Sequence, residues 1–238
     1  MLDLRPFDSL GRFEIDWLSA RYHFSFANYH DSSRMGLGPL RVWNDDTVRA
    51  GGGFDPHPHR DMEIITYVRN GAITHRDNLG SHGRVPKGSI QVMSAGTGIV
   101  HSEFNLDPDD MTLFQIWIHP NRRGLTPRWE MRDFPTEPGT LHTLASGRDA
   151  DIAAGAIPIA QDAAVLGGVL PKGASWVTPL HGRGAYLVPT FGSLIAEAGG
   201  RTVTVNARDG LLVQGEAGLT LTALEDTEVT LVDVALPE

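Results

Sequence analysis

Gly51-Gly52-Gly53-Phe54-Asp55-Pro56-His57-Pro58-His59 opens a stretch that closes with His101-Ser102-Glu103-Phe104-Asn105 and holds five of the chain's ten histidines. In an extended strand, residues i and i+2 point to the same face. His57 and His59 therefore project together, and so do His101 and Glu103. Two such pairs facing one another across a small barrel would surround a point with three imidazoles and a carboxylate, the donor set of a metal site. Pro58 has no N–H to donate, which suits an edge strand or a strand's first residues. Glu63 competes with Glu103 for the carboxylate role, because 57, 59, 61 and 63 share one face of any unbroken strand. A lone histidine is usually structural; two pairs at i, i+2 spacing within a glycine framework point to chemistry.

Outward from this stretch the chain reads as short strands and turns. Phe13-Glu14-Ile15-Asp16-Trp17-Leu18 and Tyr22-His23-Phe24-Ser25-Phe26-Ala27 alternate like half-buried strands. Met35 to Pro39 is a turn, Leu40-Arg41-Val42-Trp43 a strand, and Asn44-Asp45-Asp46 a second turn. Glu63 to Val68 and Ala72 to Asp77 flank Asn70-Gly71, a hairpin signal. Pro86-Lys87-Gly88 turns into Ser89-Ile90-Gln91-Val92-Met93, and Met111 to Ile118 is a further strand. Such spacing predicts a sandwich or barrel.

Residues 119 to 140 break the rhythm with proline, glycine and charge, and read as an inter-domain crossing that Trp129 and Phe134 pack down. Beyond it, short strands resume at Ile152 to Ala156, Ala185 to Val188, Thr202 to Val205, Leu211 to Val213 and Val229 to Val232. There His142 and His181 stand alone. The domains expected are 1–122 with the metal site, a crossing segment at 123–140, and 141–238 without metal ligands. With 27 glycines and 15 prolines among 238 residues, a helix is hard to place.

Composition bounds the function. The 20 Lys and Arg against 29 Asp and Glu leave a net charge of −9, which argues against direct grip on nucleic acid. No cysteine is present, so a metal must be held by nitrogen and oxygen. The first ten residues mix charges without an apolar run, so no signal or membrane-spanning segment is expected and a cytoplasmic protein is the default.

Gly51, five residues, His57-x-His59, three residues and Glu63 are similar to the first motif of cupins. Gly80, five residues, Pro86-x-Gly88, and later His101, three residues and Asn105 are similar to the second, with an enlarged insertion. The run from Phe24-Ser25-Phe26-Ala27-Asn28-Tyr29 through Pro56-His57-Pro58-His59-Arg60, His75-Arg76-Asp77 and Gly96-Thr97-Gly98-Ile99-Val100-His101-Ser102-Glu103 resembles the bacterial pirin-like proteins. The resemblance covers about the first 130 residues well. It implies an all-β bicupin of two jelly-roll barrels, the second degenerate, with His57, His59, His101 and Glu103 as metal ligands. Glu63 is the reserve ligand.

The same resemblance implies a quercetin 2,3-dioxygenase, with Glu103 as base, a flavonol and O2 as substrates, and Fe(II) as the metal. Mn, Co, Ni and Cu suit the same donors, and Zn binds without redox chemistry. Phe54, Met93 and Phe104 are candidates to clamp a flat substrate. The alternative is a non-catalytic, iron-binding redox regulator that engages a protein partner, as pirin does; a cupin isomerase or ligand-binding protein is a third reading. His75 and His82 read first as polar packing, with a place beside the metal ligands or in the pocket as the alternative, and Asn28 and Asp77 signal nothing alone. His23, His30 and His119 read as structural, and Arg122-Arg123 as a solvated loop.

Overall fold

The structure is a computed structural model that describes residues 1–133 and 137–236. It is built almost wholly of strands, arranged as two barrels, each a seven-stranded sheet against a four-stranded one. In the first barrel the large sheet runs Arg128–Asp133, Ser89–Ser94, Glu63–Asn70, Met111–Ile118, Leu40–Val48, Leu18–Tyr22, Gly11–Glu14. Its small sheet runs Gly53–His59, Ile99–Phe104, Ala72–Asp77, His82–Pro86. The second barrel repeats the plan, with Ser175–Pro179, Gly218–Ala223, Ser193–Ala198 and Arg201–Asn206 as its small sheet. The bicupin architecture expected from the sequence is present. No helix among the described residues is long and apolar enough to cross a membrane.

The central strands of the two large sheets are buried on both faces. In Glu63–Asn70 the residues from Glu63 to Val68 are all buried, because alternate side chains enter different cores. Ile65 and Tyr67 join a cluster with Trp43, Phe114, Val165, Tyr186 and Val232 between the barrels, whereas Val68 packs inside the first barrel with Leu113 and Ile73. Strands covered on both sides read as continuous apolar runs in place of alternation. Around that shared core lies a polar seam. The Tyr186 hydroxyl meets His23 Nδ1 at 2.9 Å, Arg208 forks onto the buried Asp45, and Tyr67 donates to Glu228. The second barrel's own core is filled by aliphatic side chains such as Leu187, Leu194, Leu221 and Leu231.

Several local expectations give way to tertiary context. Phe13 to Leu18 is not one strand: Ile15 and Leu18 close a tight turn through reciprocal backbone hydrogen bonds, between Gly11–Glu14 and Leu18–Tyr22. The strand expected at Tyr22 to Ala27 ends at Tyr22, and His23 and Phe24 turn into the inter-barrel core. Asn44-Asp45-Asp46 is no turn but the middle of Leu40–Val48, paired on both sides. Asn70-Gly71 is a corner and not a hairpin: the strands it joins lie in different sheets, and Gly71 supplies the left-handed φ of 75° that the corner needs. Ile152 to Ala156 was expected as a strand, yet Asp149–Ala153 is a short α-helix, its acidic first turn suiting a helix N-terminus.

The crossing segment contributes Arg128–Asp133 to the first barrel, hydrogen-bonded to Ser89–Ser94. Conversely, Leu2–Arg5 pairs with Gly210–Val213 in the second barrel. Leu2–Arg5 is thus an edge strand of the second barrel's large sheet and Arg128–Asp133 an edge strand of the first's. Phe134 lies outside the described residues.

Candidate metal centre

His57, His59 and His101 converge, although not across the barrel. Gly53–His59 and Ile99–Phe104 are neighbours in the small sheet, and His101 lies directly opposite His57. Ring centroids are 4.5 Å apart for His57 and His101, 4.8 Å for His57 and His59, and 5.0 Å for His59 and His101. One nitrogen from each ring lies within 4.8 Å of the other two, close enough for a single ion. His57 Nδ1 donates to the Asp55 carbonyl at 2.7 Å, which fixes the tautomer and leaves Nε2 with its lone pair. Both ring nitrogens of the buried His101 lack a hydrogen-bond partner, an arrangement that burial penalises unless something else occupies the lone pair. Burial first, then His57, holds His59 down to about 4. Burial, then His57, His59 and His75, holds His101 down to about 3. Neutral imidazoles are what a metal requires.

Glu103 enters through a second group. Its carboxylate, His101 and His75 also lie within 4.8 Å of one another. A register shift between His101 and Glu103 sets Glu103 opposite Phe54 on one side and His75 on the other. Gln115 Nε2 donates to Glu103 Oε2 at 2.7 Å and Gln91 Nε2 to Oε1. Each amide is oriented by an indole: Trp117 Nε1 donates to Gln115 Oε1 at 3.0 Å, and Trp129 Nε1 to Gln91 Oε1 at 2.9 Å. The two amides are therefore committed to presenting N–H groups to the carboxylate. Burial pushes Glu103 up to about 7, against the downward pull of Gln91, Gln115 and Thr66.

Of the two readings the sequence offers for His75, packing and a place beside the metal ligands, its surroundings favour the second. It is fully buried, stacks on Trp129 at 4.8 Å with planes 9° apart, and donates Nε2 to Asp77 at 2.9 Å. Nδ1 is left without a partner. Trp129 and Asp77 thus fix the ring of a residue that belongs to the second group. No spacing rule could pair residue 75 with 103; only the strand register does so.

Glu63 sits elsewhere. The His-Pro-His strand ends at His59, Asp61 adopts a left-handed φ of 48°, and a new strand starts at Glu63 in the large sheet. Its carboxylate accepts from Ser94 Oγ at 2.6 Å and borders a groove between the barrels with Arg122 and Arg128. His23 is held by Tyr186, while Asn28, His30, His82, His119, Arg122 and Arg123 are exposed. Neither isolated histidine of the second barrel, His142 or His181, belongs to a metal-sized group among the described residues.

His57, His59 and Glu103 open onto a cavity of about 290 Å³, near the lower end of small-molecule sites (~300–1,000 Å³). Phe13, Tyr22, Phe26, Phe54 and Trp117 form its aromatic walls. Of the clamps expected from the sequence, Phe54 is there. Met93 is buried with Ile64, Ala95 and Ile99, and Phe104 borders the outer face of the small sheet.

Comparison with known proteins agrees with this architecture. The family model described as Pirin matches residues 4–118, and that described as Quercetinase C-terminal cupin domain matches 143–234. A pirin-like protein from Caulobacter vibrioides is 52% identical over 99% of this chain and 100% of its own. The quercetin 2,3-dioxygenase of Escherichia coli is 37% identical over 98% of this chain and 99% of its own. The crystal structure of the bacterial pirin YhhW from Escherichia coli, in complex with nickel(II), superposes with a TM-score of 0.92 at 37% identity, covering all of both chains.

Proposed function

The chain belongs to the pirin family, and on that footing we propose that it is a metal-dependent dioxygenase opening a flavonol with O2, in the manner of quercetin 2,3-dioxygenase. His57, His59, His101 and Glu103 hold the metal in this reading, with Fe(II) the first candidate and Mn, Co, Ni or Cu suited to the same donors. The observation that carries it is the meeting of the His57, His59 and His101 imidazoles, with the buried Glu103 carboxyl grouped on the same His101, at the edge of an aromatic-walled cavity. The relative named quercetin 2,3-dioxygenase and the nickel-bound pirin support the same reading.

When bound, a redox-capable divalent ion supplies a Lewis acid and a path for electron density from substrate to O2. The chain does the rest. Glu103 gives the carboxylate through lone pairs that Gln91 and Gln115 leave open, since each carboxylate oxygen carries two. It also accepts the proton of the flavonol 3-hydroxyl. The aromatic walls hold the flat ring system and exclude water. One flavonol and one O2 give one ring-opened ester and one carbon monoxide, with both oxygen atoms retained in the products.

Protein purified without chelator and loaded with Fe(II) should consume quercetin and O2 in equal amounts under air and release carbon monoxide. Absence of turnover in fully loaded protein would reject the enzyme. Absence of turnover together with tight, redox-dependent binding of a protein partner would favour the regulator. The amide cradle gives a second expectation. Gln115→Leu leaves Glu103 Oε2 and the Trp117 indole without their partners, so it should cost about 1–3 kcal/mol in denaturant unfolding. It should also weaken metal retention against a competing chelator by roughly 10–100-fold.

A further inference from the structure

The cavity wall carries two polar groups that the reaction above does not use. Asn44 and Asp46 lie on the same face of Leu40–Val48 and both line the cavity. They are 5% and 3% exposed, and the Oδ1 atom of each lacks a hydrogen-bond partner. Their neighbour Asp45, on the opposite face, is fully engaged by Arg69 and Arg208. The residues opposite Asp46 on the flanking strands, Ala20 and Leu113, are apolar. Unpaired polar atoms are disfavoured in such a place, and an aliphatic residue would serve a mere wall better. Turn-forming residues in the middle of a central strand are likewise out of keeping with local preference.

The cross-strand register connects this pair to the metal cluster. Asn44 lies between Tyr22 and Gln115, and Gln115 holds Glu103. A polar row thus runs along the cavity from the carboxylate through Gln115 to Asn44 and Asp46. A ligand held at the cluster by one oxygenated edge would meet Asn44 and Asp46 with its remaining hydroxyl groups. We propose that Asn44 and Asp46 are specificity-determining residues that hydrogen-bond ring hydroxyl groups of a flat polyphenol and so select hydroxylated over bare flavonols. Burial, with Asp45 beside it, holds Asp46 well above the usual carboxyl range; as the neutral acid it both donates and accepts. This inference rests on the flavonol reading and adds a recognition element to it.

Anaerobic equilibrium dialysis of the metal-loaded protein against quercetin and against 3-hydroxyflavone, which keeps the 3-hydroxyl but lacks the hydroxyls of the two benzene rings, tests the pair. The wild type should favour quercetin, and Asp46→Leu should lower the ratio of the two dissociation constants by about tenfold. Asp46→Asn, which keeps a donor and an acceptor, should preserve most of the ratio. Asn44→Leu should lower it and serves if Asp46→Leu does not fold. A ratio unmoved in both leucine variants, or parallel weakening of both ligands, would overturn the proposal. If the wild type binds quercetin but does not consume it in air, the dioxygenase reading fails and the ratio still judges the anchor. If it binds neither flavonol, both fail.

Discussion

Replacing His101 by alanine is expected to strip the protein of its metal and abolish flavonol turnover. The histidine occupies the centre of the arrangement: it lies opposite His57, its ring is 5.0 Å from His59 and 5.4 Å from His75, and it alone belongs to both metal-sized groups. Loss of an outer-shell partner typically lowers metal affinity 10–100-fold, so loss of a histidine shared by both groups should exceed about a hundredfold if it ligates as proposed. Because neither ring nitrogen has a hydrogen-bond partner, the substitution leaves no other group unpaired. The variant should fold, with only the cavity as a cost. Elemental analysis after a chelator wash and a quercetin assay on the same sample read both effects. Metal retained at the wild-type level would remove His101 from the site.

The second large effect is structural. Trp43→Ala should destabilise the protein by about 3–5 kcal/mol in urea unfolding. Trp43 is completely buried, with Phe114 and Tyr186 each 5.5 Å from its ring. Phe114 belongs to the first barrel and Tyr186 to the second, so the cavity opens in the core they share. The loss should fall on both barrels together. A single shifted transition is expected, and a first barrel that melts alone while the second stays unchanged would show that the cores are independent.

How far the sequence discloses this molecule depends on what each residue answers to. The paired histidines were legible because i, i+2 spacing is a property of the strand itself, and the register then brings His57 opposite His101. The all-β character followed from short apolar runs between glycines and prolines. What could not be read is what tertiary partners decide. Asn70-Gly71 has the composition of a hairpin, yet its flanking strands pair with different neighbours. Asn44-Asp45-Asp46 looks like a turn because its partners, Arg69, Arg208 and the cavity, are distant in sequence. Parity left Glu63 and Glu103 equivalent until the break at Asp61 sent Glu63 to the other sheet. His75 was undervalued for the same reason, since Trp129, Asp77 and Glu103 reach it from three segments.

The most direct test of the central claim is anomalous X-ray diffraction from crystals of the Fe(II)- or Ni(II)-loaded protein. One strong peak is expected, bounded by imidazole nitrogens of His57, His59 and His101 and an oxygen of Glu103, at roughly 2.0–2.2 Å from each. A peak ligated by Glu63, or one lying away from the three histidines, would contradict it.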